Sequence, residues 1–185
     1  MLKEFKPALL FLGKFLGIYI LGNIVYGLYI NSYYPQSDPI TYSISNQVGA
    51  IISATGTAVQ ASPNQDEATI SLIEKLTNDT IINVFEGCNG INVMIVFVAF
   101  LIAYQGTVKL TIIFSLVGLL VIHIFNLARI ILLFQQARDH SPYFYYIHKY
   151  LFTAILYFVV AVLWWFWVTK FNGIKNDHPA QAQVE

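Results

Sequence analysis

Four stretches of this chain run almost without charge, and three of them match the roughly 20 residues a helix needs to cross about 30 Å of hydrocarbon. The first runs from Ala8 to Ile30 and is interrupted only by Lys14 and Asn23. The second, Gly90 to Tyr104, is shorter. The third, Leu110 to Phe134, contains His123, Asn126 and Arg129, and the fourth, Tyr146 to Val168, ends in LWWFWV, an aromatic girdle of the kind found at a headgroup boundary. A water-soluble domain of 185 residues has no core able to hide all four, and with 11% charged residues the chain lacks the roughly 25% that a soluble surface carries. The expected fold is an all-α polytopic membrane protein of about four transmembrane helices. The ten basic and ten acidic residues cancel, so no net field draws it onto nucleic acid.

Lys and Arg asymmetry sets the expected orientation. Lys3 and Lys6 precede the first stretch, Lys109 lies between the second and third, and Lys170 and Lys175 follow the fourth. Both termini are therefore expected in the cytoplasm, with the protein in the cytoplasmic membrane. The basic flank Met1 to Lys6 resembles that of a signal peptide, but no small-residue cleavage site follows, so the first helix reads as a retained anchor. The expected organisation is a cytoplasmic N-terminus (1–7), a first helix (8–30), an extracytoplasmic segment (31–86), a transmembrane core of three helices (87–170) and a disordered cytoplasmic tail (171–185). Within the extracytoplasmic segment, Thr41 to Ala61 has the pattern of an amphipathic helix or a weak re-entrant hairpin. Pro63 and Asn64 then break the chain. Glu67 to Ile73 and Thr80 to Phe85 read as a β-hairpin around LTND, leading directly into EGCNG.

Polar groups in or near a span are costly and need a partner or a role. Cys88 precedes the second span on the outer side, Arg129 lies roughly 8 Å inside the outer end of the third at 1.5 Å per residue, and His148 opens the fourth. Antiparallel neighbours bring all three to one depth. A free thiol with a pKa near 8.5 is only slightly ionised at neutral pH. A histidine can take its proton, and a guanidinium favours the thiolate or the oxyanion of a tetrahedral intermediate. That combination suits acyl transfer. Asn126 shares roughly the helix face of Arg129 and can orient it. Glu86, Asn89 and Gly90 flank the cysteine as substrate-binding or supporting residues, and Gly87 and Gly90 permit tight or positive-φ geometry. His140, in the loop ARDHSP, is the alternative base, whereas His123 reads as a packing or helix-contact residue. Each group also has a plainer reading: a buried cysteine is usually a small hydrophobe, an arginine near a helix end snorkels, and a boundary histidine is an interfacial residue. One cysteine supports neither a disulfide nor a thiolate metal site, and no metal or other cofactor is implied.

EGCNGINVMIVFVAFLIAY at Glu86 to Tyr104, FNLARI at Phe125 to Ile130 and the histidine in YYIHKYLF together resemble the exosortase and archaeosortase family of membrane cysteine transpeptidases, in particular its short exosortase F subfamily. The resemblance covers about Thr80 to Val168. It implies that Cys88 is the nucleophile, Arg129 the essential arginine and His148 the general base. It also implies protein substrates whose C-terminal sorting signal carries a recognition motif, a transmembrane helix and a basic cluster. Such a signal is cleaved at the outer face of the membrane through a thioester and passed to a cell-envelope acceptor, with a small associated membrane protein as a further partner. Many relatives have additional spans, and residues 31–79 match no motif of the family. A non-enzymatic membrane assembly or interaction subunit is the alternative from the residues alone. A small transporter fits less well, because no intramembrane carboxylate pair or inverted repeat is present.

Overall fold

The computed structural model describes residues 2–64, 67–104, 106–140 and 152–176. The chain is mostly helical and carries one small antiparallel sheet. Two helices, α1 (Leu2–Asn31) and α4 (Val108–Arg138), contain segments long and apolar enough to cross a membrane. Two more, α3 (Ile91–Ala103) and α5 (Phe152–Asn176), have shorter apolar stretches. At 1.5 Å per residue the 13 residues of α3 reach about 20 Å. The tail expected to be disordered from 171 begins as helix, since α5 runs to Asn176, and residues 177–185 lie outside the described residues.

Side-chain size explains how the helices meet. Along α1, Phe11 and Phe15 pack edge-on against Phe100 of α3. Nearer the other end of α1, Gly22 lets Ile95 approach so closely that a β-carbon there would lie 2.7 Å from its methyl group. The outward faces of α1 and α4, with Leu21, Ile24 and Leu28 on one and Leu116, Val117 and Leu120 on the other, remain exposed. Broad apolar exposure of this kind asks for lipid or another protein as its neighbour. Asn23, the polar interruption in α1, bonds back to the Tyr19 carbonyl at 2.7 Å and so satisfies its own amide within the helix. A core of Phe97, Leu101, Ile122, Val160 and Trp167 ties α3, α4 and α5 together. Within LWWFWV, Trp167 is fully buried and Trp164 stacks on Phe100 at 4.4 Å, while Trp165 is exposed.

A second core lies around the far half of α4. Asp38 caps α2 (Pro39–Ala54), accepting from the amides of Ile40 and Thr41, and Pro39 supplies a preset φ in the first turn. Ile44, Val48 and Ile52, spaced four apart, turn one face of α2 toward the sheet and α4. The expected helix over 41–61 therefore stops early. Ser53 accepts from the Val59 amide and donates to its carbonyl, anchoring the start of a strand that the sequence reading folded into the helix. The sheet is a meander of β1 (Val59–Pro63), β2 (Ile70–Glu74) and β3 (Asp79–Val84), with Ala61 opposite Leu72, Leu72 opposite Ile82 and a bulge after Leu72. Its β2–β3 turn falls at LTND as expected, with Asn78 taking the left-handed conformation at φ 60°. Arg138, the last residue of α4, closes the unit through Glu74 at 3.2 Å and Thr57 at 2.9 Å. The helix α4 continues nine residues past Arg129.

Candidate active site

The site is built from the short link between β3 and α3. Phe85 is extended, Glu86–Cys88 forms one turn of 3₁₀ helix, and Cys88 N–H closes it on the Phe85 carbonyl at 2.8 Å. Gly90 then reverses the chain at φ 82° and passes it into α3. A side chain at Gly90 would be strained by that φ, and its β-carbon would sit 3.0 Å from the amide carbon of Asn126. Glycine is thus required twice, by conformation and by close approach.

Two residues of α4 meet the cysteine. Asn126, fully buried, donates from Nδ2 to the Cys88 carbonyl at 3.1 Å. One helical turn on, Arg129 directs Nη2 toward Cys88 Sγ at 3.9 Å, at the outer limit of an N–H···S contact. Asn126 therefore positions the cysteine backbone, and no hydrogen bond joins it to the arginine it was expected to orient. Arg129 Nε is buried without an acceptor among the described residues, as is Asn126 Oδ1 without a donor. A buried donor left unpaired is costly unless a ligand completes it.

Cys88 as a residue is 6% exposed. Burial pushes the thiol pKa up, and the Arg129 charge pulls part of the way back, with the Phe85 amide geometry helping and Glu86 opposing. At neutral pH the resting group is the thiol, so attack on a carbonyl requires a base. The thiol lines a cleft of about 250 Å³ between β3 (residues 81–84) and α4 (Ile130 and Leu133).

Asn89 locks the other side of the link. Its Nδ2 reaches Tyr26 Oη of α1 at 2.6 Å and Thr41 Oγ1 of α2 at 2.9 Å, while its Oδ1 accepts from Ile91 N–H at 3.0 Å. Thr41 Oγ1 donates in turn to Asp38 Oδ2 at 2.6 Å. Asp38, Thr41 and Asn89 are all buried. This chain of bonds joins three helices to the residue after the cysteine, and sequence reasoning missed Asp38, Thr41 and Tyr26. The Asp38-Pro39 pair signals a helix start, but no local pattern announces a contact across 48 or 63 positions.

The remaining candidates divide. Glu86 faces away from the cleft into an open groove with Tyr26, Tyr34 and Asn92, and no ion pair joins it to Arg129 among the described residues. His140 is exposed at φ 49°, eleven residues beyond Arg129 and so about 16 Å further along the helix direction. The structure does not bring it to the thiol. His123, expected to be a packing or helix-contact residue, bonds Gln47 of α2 through Nε2 at 2.9 Å. His148 lies outside the described residues. Comparison with protein-family models, with curated proteins and with solved structures returns no match to this chain.

Proposed function

We propose that this chain is a membrane-embedded cysteine protease and transpeptidase of the exosortase type, with Cys88 as nucleophile, Arg129 as the electrostatic partner and His148 as the base. The observation that carries the reading is the approach of the Arg129 guanidinium to the Cys88 sulfur at 3.9 Å, with Asn126 of the same helix holding the cysteine backbone. A structural cysteine needs neither. In the proposed topology α1, α3, α4 and α5 cross the cytoplasmic membrane, both termini are cytoplasmic, and the β3–α3 link faces outward at the membrane surface. A substrate anchored by its own helix presents its scissile bond at that height, so shared membrane residence supplies effective concentration.

The chemistry follows from the groups. His148 takes the thiol proton as Sγ attacks the scissile carbonyl carbon, and the π electrons of the carbonyl move onto oxygen. Arg129, beside the sulfur and charged at any accessible pH, stabilises the thiolate and then the oxyanion. Collapse expels the amine, which takes the proton from the imidazolium, and leaves a thioester. An amine or other nucleophile of a cell-envelope acceptor resolves the thioester and restores the thiol. Cys88→Ala should abolish processing of a co-expressed protein that carries a C-terminal recognition motif, an apolar helix and a basic end, while leaving membrane insertion intact. Unchanged processing would refute the assignment.

The placement of Cys88 among Val84, Ile130 and Phe134 in an apolar core favours a second reading, a non-enzymatic assembly subunit. It predicts that Cys88→Ser is tolerated in cells while disruption of the β2–β3 hairpin is not.

A further inference from the structure

The cleft at Cys88 has an unusual wall. β3 is the last strand of the sheet, paired with β2 on one side, and its other edge makes no backbone hydrogen bond among the described residues. Edge strands of this kind are templates for a further strand and are normally covered or charged. Here the edge runs into the nucleophile: β3 ends at Val84, and Cys88 follows four residues later. Opposite it, Ile130 and Leu133 of α4 make the floor, and the lining residues of β3 are Ile81, Ile82, Asn83 and Val84. Among the described residues, no charged side chain lines the cleft. Arg129, outside that lining, brings Nη2 to 3.9 Å from the thiol sulfur, and its Nε–H is buried and lacks an acceptor among the described residues.

We propose that this cleft binds an extended, uncharged polypeptide segment as an added strand on β3, with an aliphatic side chain next to the scissile carbonyl seated against Ile82, Val84, Ile130 and Leu133. Strand addition supplies affinity through backbone bonds, and the cleft supplies selection through one side chain. A cationic or anionic side chain would lose its hydration there with no counter-ion among the described lining residues. The segment's carbonyl, delivered beside Sγ, gives the Arg129 donor the acceptor it lacks. This inference names the substrate class of the proposed transpeptidase and rests on that reading for the identity of the attacking group.

Its test uses the full-length chain in membranes and peptidyl chloromethyl ketones. Cys88 Sγ attacks the methylene carbon, the C–S bond forms as C–Cl breaks, chloride leaves and the thiol proton passes to solvent, so labelling needs no turnover. Alkylation is followed by intact-protein mass spectrometry, with iodoacetamide measuring bare access to the thiol. A tripeptide probe ending in Leu should label at least about tenfold faster than the same probe ending in Lys, relative to iodoacetamide. Amides alternate in direction along a strand. Of two leucine probes N-methylated at adjacent internal amides, one should therefore label about tenfold more slowly and the other at the parent rate. Equal rates for Leu and Lys probes, an equal effect of both methylations, or peptides that fail to label overturn the proposal. Selective labelling with no processing of tail-anchored substrates in cells refutes the transpeptidase reading and leaves the cleft assignment standing. Processing with unselective labelling does the reverse.

Discussion

Replacing Gly90 with alanine places a methyl group where the backbone and Asn126 both resist it. The φ of 82° costs an L residue about 1–2 kcal/mol. The new carbon would also stand 3.0 Å from the Asn126 amide carbon, close enough that Asn126 must give way. If it shifts, its 3.1 Å bond to the Cys88 carbonyl is lost, at about 1 kcal/mol. The expected total is about 2–3 kcal/mol. In an Asn126→Ala background the second part is already absent, so Gly90→Ala should then cost only the conformational part. The double-mutant cycle should therefore show a coupling of about 1 kcal/mol. Thermal unfolding in detergent measures the stability terms, and the rate of Cys88 alkylation reports whether the link has moved. A Gly90→Ala variant as stable as the parent, or one that loses the same amount in both backgrounds, would refute the argument that glycine here serves conformation and contact together.

Other consequences can be read with the same assays. Arg129→Gln removes the charge that lowers the Cys88 pKa while burial, which raises it, stays. The pH profile of Cys88 alkylation should therefore move to higher pH, and an unmoved profile would contradict the coupling. Because the folded state favours the protonated thiol, this group's contribution to stability is complete below the ordinary thiol pKa and declines as pH rises through the raised value. Gly118→Val, whose added carbons would collide with the Phe97 ring, should destabilise the helix bundle by about 1–3 kcal/mol in thermal unfolding. Asp38→Ala removes the α2 cap and the Thr41 partner, and should cost about 1–2 kcal/mol in the same measurement.

Legibility followed the range of the interaction. The helical stretches could be read because apolar length is a local property, and the β2–β3 turn because Asn-Asp between two β-leaning runs is a local signal. The link around Cys88 was legible for the same reason: its two glycines mark backbone that does something unusual, and Gly90 does. β1 was not legible. Its sequence VQASP is short and ends in proline, and it becomes a strand because Ser53 holds Val59 and β2 pairs alongside. The role of Asn126 was half visible, since helical spacing placed it near Arg129 but could not say that its amide would turn to the Cys88 carbonyl. Asp38 and Thr41 were invisible as site residues, because a capping aspartate looks the same whether its helix lies beside Cys88 or far from it.

The capping aspartate also shows why the soluble-looking segment and the helices form one device. Thr41 helps hold Asn89, the residue after Cys88, and Thr41 is itself fixed because Asp38 caps α2 and accepts its hydroxyl. α2 in turn is placed by the sheet and by α4, the helix that carries Asn126 and Arg129. The cysteine is therefore clamped on two sides by elements that belong to one core. A loosened α2 would take Thr41 from Asn89 and leave it Tyr26 and Ile91, weakening that clamp while Asn126 stays bound and allowing Sγ to drift from the guanidinium. Placement of the thiol against the arginine depends on both clamps, which gives residues 31–79 a positioning role although, among the described residues, none of them touches the sulfur through a hydrogen bond.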